Sequence, residues 1–315
     1  MERLLWIVLP TLLIVSFFAW PERKNQPGTE SDPATPQAEN PDIVPPVEPV
    51  SLSISPTTLI QGEPARITIN GLFSASAIQS LTFDNKPLGV FSDENKMAAL
   101  VGIDFHQEPA TYPIVLTLAD GRIIEESIAV GERALATTEF DIPEKLGGNT
   151  PQAEHALSSS LAQDTAIINS VVATTGQEKL WSERFRLPLE GSPTVTDVYG
   201  YKRQTGSVSL SHQGTDFRAP EGTPVYAMNA GTVAFSGTFR NYGHTVIIDH
   251  GLGLMTFYMH LSETKVAQGT IIEKGDLIAL SGNTGYSLGP HLHLSVRIDG
   301  LTIDPMKFLE LMGPK

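Results

Sequence analysis

Two long stretches of this chain alternate apolar with polar residues, which is the pattern of a β-strand with one buried face. The alternation runs through residues 51–131, as in 66–70 (RITIN), and returns from residue 186 onward. Turn-forming residues separate the alternating segments, and 119–121 (ADG) divides two of them as a hairpin turn would. The sequence therefore predicts a mainly β protein with a β-sandwich at 51–131 and a second β domain at 186–315.

The first β domain carries no group of residues with recognisable chemistry. Its short strands look like those of bacterial immunoglobulin-like modules, and we interpret 51–131 as an immunoglobulin-like β-sandwich. Residues 132–185 are less regular, and 152–172 have a helix-compatible composition. We predict a connector with one helix there. Its place directly before the second domain raises the hypothesis that it covers a groove of that domain in a resting state.

A nearly apolar segment, 4–20, stands close to the N-terminus, and a polar segment with seven prolines follows at 25–50. The apolar run is at the short end for a transmembrane helix and slightly long for a signal-peptide core. No small-x-small cleavage site is evident at 17–19, which favours an uncleaved anchor over a cleaved signal. A buried N-terminal helix fits poorly with the polar segment. We predict a transmembrane anchor or signal segment at 1–24 and an extended Pro-rich linker at 25–50.

Charge and composition exclude several classes of function. The formal net charge is −14, and the sequence has no basic stripe that could bind nucleic-acid phosphates. It contains no cysteine, so disulfides and thiolate metal sites are excluded, and a metal would need His, Asp or Glu ligands. The glycine-rich segment 281–290 lacks the lysine ending of a phosphate-binding loop and leads into a strand, so we interpret it as a turn.

Two histidines one residue apart, His291 and His293, begin the last long strand that the alternation predicts. In a strand these side chains point to the same face, which they share with Ser295 and Arg297. The opposite face is wholly apolar. A histidine that served only to fill the core would be expected on that apolar face, so the pair is a candidate functional site.

Two further segments bring candidate ligands. His260 ends the alternating segment 255–260 (MTFYMH), which predicts that it shares a polar face with Thr256 and Tyr258, and 212–216 (HQGTD) places a histidine four residues before an aspartate. Imidazole and carboxylate together suit Zn²⁺, and catalytic zinc sites keep three protein ligands. The segments together predict a zinc site with one histidine of the 291–293 pair. The remaining histidines are interpreted as structural or solvent-exposed: His106, His155, His244 and His250.

Three segments of the second β domain strongly resemble the M23 peptidases, the lysostaphin-like or LytM-type zinc endopeptidases of bacterial cell walls. They are 211–233 (SHQGTDFRAPEGTPVYAMNAGTV), 243–262 (GHTVIIDHGLGLMTFYMHLS) and 266–297 (VAQGTIIEKGDLIALSGNTGYSLGPHLHLSVR). The resemblance covers residues 190–310, with the three family motifs in order. It implies a lysostaphin-like domain of antiparallel sheets at 186–315, holding one zinc ion.

By position, the resemblance implies that His212, Asp216 and His293 are the zinc ligands. His291 matches the catalytic histidine, taken as the general base for the attacking water. His260 matches the other active-site histidine, which assists the oxyanion or orients the water. The implied substrate is a peptide cross-link or stem in peptidoglycan.

Two departures from the family pattern leave every implied ligand in place. Ser295 stands where the family often has an acidic residue, and 199–203 (YGYKR) is a loose version of a common entry motif. The leading hypothesis is a zinc endopeptidase that acts on peptidoglycan in the bacterial cell envelope, outside the cytoplasm, and is anchored or secreted through 1–24. The predicted partners are peptidoglycan, the membrane and regulatory envelope proteins, but not nucleic acid.

Two other hypotheses stay open. The first is a non-enzymatic member of the same fold that activates or binds another cell-wall hydrolase. The second is a carbohydrate-binding or lipoyl-like β module in which the histidines are incidental. An ordered metal among the implied ligands would separate the enzyme from both.

Overall fold

The computed structural model describes residues 49–93, 95–134, 136–182, 184–205 and 208–314. These residues belong to one compact unit, Pro46–Lys315. The predicted membrane segment at 1–24 and nearly all of the predicted linker at 25–50 lie outside the described residues. Within the described ranges, no helix is long and apolar enough to cross a membrane.

The N-terminal part of the described chain consists of nine strands. They are β1 (Ser51–Ser55), β2 (Thr58–Ile60), β3 (Pro64–Asn70), β4 (Ile78–Phe83), β5 (Lys86–Pro87), β6 (Val90–Asp93), β7 (Lys96–Gly102), β8 (Ala110–Leu118) and β9 (Ile123–Gly131). One sheet has the order β1-β3-β7-β6 and the other β2-β9-β8-β4-β5. Apolar residues of both sheets, such as Ile67 and Leu116, form one shared core. The turn at 119–121 joins β8 to β9 as the sequence predicts.

Fourteen strands and two helices complete the described chain. The strands are β10 (Thr137–Glu139), β11 (Val195–Asp197), β12 (Lys202–Thr205), β13 (Val208–Ser211), β14 (Thr215–Arg218), β15 (Pro224–Tyr226), β16 (Gly231–Phe239), β17 (Gly243–Gly251), β18 (Leu254–Leu261), β19 (Glu263–Thr264), β20 (Ile271–Ile272), β21 (Leu277–Leu280), β22 (His291–Ile298) and β23 (Leu301–Ile303). The helices are α1 (Pro151–Val172) and α2 (Pro305–Met312), and short 3₁₀ turns lie at Ala75–Ala77 and Glu144–Leu146. The prediction of a mainly β protein is confirmed.

A large sheet organises this C-terminal part, with the order β11-β14-β22-β18-β17-β16-β20 and β23 paired to β22. Smaller sheets have the orders β15-β21-β19 and β10-β12-β13. The large sheet is covered on both faces. Val246 and Ile248 point into the largest apolar cluster, whereas Ile247 and Phe257 form a second cluster with Ile168 of α1. Burial on both faces explains the uninterrupted apolar runs at 246–248 (VII) in β17 and 257–259 (FYM) in β18.

The two β regions share part of their core. Phe91 and Leu100, on β6 and β7, belong to the same apolar cluster as Trp181 and Phe185. The rings of Phe91 and Trp181 meet edge to face, with centroids 5.1 Å apart. Strand β7 is therefore buried on both faces. The predicted domain boundaries at 131 and 185 stay predictions, since the structure packs these regions into one unit.

Helix α1 begins at a proline that follows the N-cap Thr150, whose hydroxyl accepts a hydrogen bond from the backbone N–H of Ala153. The helix buries a polar pair, Ser160 and Asp164, against the turn between β16 and β17. One carboxylate oxygen of Asp164 accepts hydrogen bonds from the backbone N–H of Asn241, at 3.0 Å, and from its side-chain amide, at 2.8 Å. Ser160 contacts the same amide group. These contacts fix the helix to the turn.

Replacing Asp164 with alanine should loosen α1, because the buried N–H of Asn241 would lose its acceptor. We expect a loss of about 1–3 kcal/mol in the free energy of unfolding, measured by urea denaturation, and faster hydrogen exchange of the α1 amides. The matched control is Gln163→Ala, at the exposed neighbouring position. Unchanged α1 exchange in Asp164→Ala would show that other contacts hold the helix.

His250 is fully buried on β17, as expected of a structural histidine. Its Nδ1 donates to the carbonyl of Ala230 at 2.7 Å, and its Nε2 lies 2.9 Å from the hydroxyl of Thr256. Burial lowers the pKa of His250 from 6.5 to about 4. The folded protein therefore requires the neutral imidazole, while the unfolded chain takes up a proton below pH 6.5.

The stability contributed by neutral His250 should be present above pH 6.5 and lost as the pH falls toward 4. The pKa difference corresponds to about 3 kcal/mol. Urea denaturation between about pH 4.5 and 7 should therefore give a shallower pH dependence for His250→Gln than for the wild type. Parallel curves would contradict this assignment.

Candidate metal centre

Three side chains that are distant in sequence converge where strands β14 and β22 of the large sheet pair. His212 Nε2 lies 3.0 Å from Asp216 Oδ1 and 3.1 Å from His293 Nδ1, and the last two atoms are 2.7 Å apart. All three residues are buried. Asp216 and His293 are brought together because β14 and β22 pair antiparallel with these residues directly opposite each other. His212 approaches from the loop just before β14.

Contacts behind the cluster orient its ligand atoms. The Nδ1 of His212 donates to the carbonyl of Val198 at 2.8 Å, which leaves the lone pair of Nε2 directed inward. Asp216 accepts a 2.9 Å hydrogen bond from Arg203 on Oδ2, so Oδ1 faces the two imidazoles. Burial lowers the pKa of His293 to about 4 and keeps its imidazole neutral. Burial alone would raise the pKa of Asp216, but the neighbouring His293 and His212 hold it well below its usual range.

Gly214 explains how the 212–216 segment can approach β22 so closely. A Cβ atom at this position would lie 2.4 Å from His293 Nε2 and 2.5 Å from the carbonyl oxygen of Leu294. Any side chain would therefore displace the imidazole or the strand. Next to it, Ser295 donates to the carbonyl of Gln213 at 2.8 Å and tethers the same segment. At the position where the resemblance implies an acidic residue, the serine therefore makes a local backbone contact.

His260 joins the cluster through an irregularity that alternation does not predict. The register between β17 and β18 shifts between His244 and Val246, so β18 bulges near His260, whose φ is +59°. Regular alternation would have left His260 on the face of Tyr258, which is buried in the main core. The sequence prediction that His260 shares a polar face with Thr256 and Tyr258 is therefore wrong.

The face that His260 reaches is the one that carries His293, because His293 pairs directly with Met259 across the strands. The ring centroids of His260 and His293 are 5.9 Å apart, and those of His260 and His291 are 4.8 Å apart. The bulge thus brings a third strand's histidine to the cluster.

Backbone carbonyls fix the tautomers of both additional histidines. The Nδ1 of His260 contacts the carbonyl of Thr284 at 2.9 Å, and that of His291 contacts the carbonyl of Gly289 at 2.8 Å. A carbonyl can only accept, so each Nδ1 carries a proton, and the acceptor lone pair of the neutral ring is on Nε2. The Nε2 of His291 lies 3.7 Å from Asp216 Oδ1. Burial, with the neighbouring His291 and His293, lowers the pKa of His260 well below 6.5.

A cavity of about 390 Å³ opens beside the cluster. Its walls include His212, His260 and His293, and α1 contributes Leu161 and Thr165. The connector helix therefore borders the same cavity as the cluster, on the side away from the main core.

The structure brings all five predicted site residues together and adds others that sequence reasoning missed. Arg203 was noted only as the end of the 199–203 motif, yet it holds Asp216 and also contacts Asp197. Its guanidinium lies over the ring of Phe140, with 4.6 Å between the Cζ atom and the ring centroid. The sequence shows an arginine nine residues before His212, which could have drawn attention to it. Which carboxylate this arginine contacts depends on the pairing of β12 with β13.

The donor set fits a zinc ion. Tetrahedral zinc with bonds of about 2.0–2.1 Å places neighbouring ligand atoms about 3.3 Å apart, close to the 2.7–3.1 Å separations among the three donors. Two neutral imidazoles and one carboxylate are typical zinc ligands. Among the described residues, these three form the group with this capacity.

The chain is similar in sequence to known metallopeptidases, which agrees with a metal centre at this site. The profile of peptidase family M23 matches residues 210–305. The chain is 44% identical over 96 residues to the peptidoglycan DD-endopeptidase ShyA of Vibrio cholerae, covering 30% of this chain and 22% of that protein. It is 40% identical over 125 residues to an uncharacterized metalloprotease of Haemophilus influenzae, covering 38% and 26% of the two chains. The match thus spans about a quarter of the length of these relatives.

A solved structure resembles a larger part of the chain. A crystal structure from Pseudomonas aeruginosa that is described as a peptidase M23 has a TM-score of 0.60 and 24% sequence identity. It covers 81% of this chain and 96% of that one, so the fold beyond the matched segment also has a counterpart. The resemblance inferred from the three motifs is confirmed over residues 210–305, which match the model of peptidase family M23.

Proposed function

We infer that the protein is a zinc-dependent endopeptidase that hydrolyses peptide cross-links or stems of bacterial peptidoglycan. The observation that carries this inference is the convergence of three buried ligand residues with the imidazoles of His260 and His291, beside a cavity that His212, His260 and His293 line. The relatives named as peptidoglycan endopeptidases support the choice of substrate. Their matched parts are short, so the activity of the whole chain is a proposal.

In this proposal, His212 Nε2, Asp216 Oδ1 and His293 Nδ1 hold the metal. A bound zinc ion polarises a carbonyl and lowers the pKa of a water molecule. Arg203 keeps Asp216 oriented and balances its charge. The contact between His212 and the Val198 carbonyl fixes the imidazole tautomer that a ligand requires.

His291 is the proposed general base. Its proton on Nδ1 is fixed by the carbonyl of Gly289, with the hydroxyl of Ser287 3.1 Å away, so Nε2 can accept a proton from the attacking water. The same nitrogen can then deliver that proton to the departing amine. His291 is more exposed than the three ligand residues, which suits a group that must meet substrate.

His260 was left with two implied roles, and its tautomer favours one of them. To stabilise an oxyanion it would have to donate from Nε2, but the Thr284 carbonyl keeps the proton on Nδ1. Protonating both nitrogens is opposed by burial, which lowers the pKa of His260. We therefore assign His260 to orienting the attacking water as a hydrogen-bond acceptor.

The finer architecture also belongs to the proposal. Residues 1–24 would anchor or export the chain, the Pro-rich linker 25–50 would extend it from the membrane, and the immunoglobulin-like sandwich would set the placement of the peptidase domain. Action on peptidoglycan requires a location outside the cytoplasm, in the cell envelope. Regulatory envelope proteins would be further partners.

The main alternative is a non-enzymatic activator of another hydrolase. A protein of that kind needs no complete ligand set, whereas this chain keeps His212, Asp216 and His293 together with both further histidines. The intact set favours the enzyme. The other alternative is a simple binding module in which the histidines are incidental. Binding of one zinc ion per chain by the three donor residues would exclude it.

Asp216→Ala and His293→Ala should lose zinc. Removing a residue that merely orients a ligand costs about 10–100-fold in affinity, so removing a ligand should cost more. Zinc content after dialysis and release of soluble fragments from purified peptidoglycan should both fall to background. His155→Ala, which removes an exposed histidine on α1, is the control. Stoichiometric zinc with retained cleavage in either ligand variant would overturn the assignment.

His291→Ala should separate metal binding from catalysis. We expect unchanged zinc content and a loss of about 10²–10⁴-fold in the rate of peptidoglycan cleavage, which is the usual contribution of a general base. Loss of zinc in this variant would make His291 a ligand instead. A wild-type chain that binds zinc but releases nothing would favour the activator.

A further inference from the structure

An arginine in the active-site cavity has no acidic partner. Arg297 lies on β22, on the same face as His291 and His293, and it lines the cavity together with His260 and His293. Among the residues that the structure describes, its guanidinium makes no ion pair and no hydrogen bond, and its buried Nε is unsatisfied. The chain has a net charge of −14, so carboxylates are abundant elsewhere.

Five other arginines each have a carboxylate within 4.0 Å: Arg66, Arg122, Arg133, Arg186 and Arg203. Three more have no carboxylate partner among the described residues, but Arg218 and Arg240 are exposed, and Arg184 donates to the carbonyl of Leu311. Arg297 instead has the ring of Phe257 beneath it, with 4.9 Å between its Cζ and the ring centroid. Burial lowers its pKa from the ordinary value, which is the cost of a cation removed from water without an anion.

Arg297 lies within reach of a peptide bound at the metal centre. It lies four residues from His293 on one strand face, which corresponds to about 13 Å at about 3.3 Å per residue. An extended peptide covers about 3.3–3.6 Å per residue. A peptide with its reacting bond at the cluster would therefore reach Arg297 about four residues away. Peptidoglycan stem peptides are short and carry several carboxylates, from acidic residues and from chain ends.

We propose that Arg297 binds a carboxylate of the peptide substrate and so fixes the distance from that carboxylate to the bond that is cut. The planar guanidinium can hold a carboxylate through two parallel hydrogen bonds from its two terminal nitrogens, which are not among the buried unsatisfied atoms, whereas Nε is. Phe257 holds the guanidinium in place from below. This subsite rests on the proposed peptidase function and adds to it a preference for anionic peptides.

The test compares two forms of one ligand on the full-length, zinc-loaded chain. The probes are a cross-linked dimer of peptidoglycan stem peptides, freed of glycan, and the same dimer with its carboxylates converted to carboxamides. Equilibrium binding is measured in a His291→Ala background, which stops turnover. The carboxylate form should bind at least about tenfold more tightly, as a charge-assisted pair predicts.

Substitution of Arg297 assigns that preference to one residue. Arg297→Gln should weaken binding of the carboxylate form at least about tenfold and leave the carboxamide form within about twofold. Arg297→Lys, which keeps the charge but not the paired donors, should retain part of the preference. Arg122→Gln removes an exposed arginine of the β8–β9 turn and should change neither affinity.

Three results would overturn the subsite: equal binding of both forms by the chain with Arg297 intact, no binding of either, or equal losses for both forms in Arg297→Gln. The first comparison needs no substitution at Arg297, so it holds even if Arg297→Gln fails to fold. A clear carboxylate preference without any cleavage by the chain that retains His291 would instead refute the peptidase function and leave the subsite standing.

Discussion

The antiparallel pairing of β14 with β22 is the constraint on which the site depends. It sets Asp216 directly opposite His293, and every other member of the cluster is placed relative to this pair. A register slip of one residue would turn His291 and His293 into the core and bring Leu292 and Leu294 outward. The apolar residues of β22, buried in the largest cluster, oppose that slip. The same alternation that stabilises the sheet therefore fixes the geometry of the metal centre.

Around that pair, burial keeps His260 and His293 neutral, and backbone carbonyls select the tautomers of His212, His260 and His291. The carbonyls of Val198, Thr284 and Gly289 each accept a hydrogen bond from the Nδ1–H of one histidine. In the neutral tautomers that these carbonyls select, the acceptor lone pair of each ring is on Nε2. The backbone, rather than further acidic side chains, does this positioning.

The cavity joins parts of the chain that are far apart in sequence. The large sheet supplies the metal centre and Arg297, while α1 supplies Leu161 and Thr165 to the wall. Because Asp164 fixes α1 to the β16–β17 turn, the helix forms a stable boundary of the cavity in this structure. The hypothesis that the connector covers a groove in a resting state stays a prediction, while the structure shows α1 as one wall of the cavity.

The sequence by itself determined the mainly β fold, the β8–β9 hairpin, the helix at 152–172 and the identity of the five candidate site residues. These follow from local periodicity, turn chemistry and short motifs, each of which is complete within a few neighbouring residues. Only the tertiary structure decided how His260 reaches the cluster, what Arg203 holds and why Arg297 stands unpaired. The bulge near His260, the ion pair between Arg203 and Asp216 and the lack of a carboxylate near Arg297 all depend on which strands become neighbours. That arrangement is set by the packing of the whole chain.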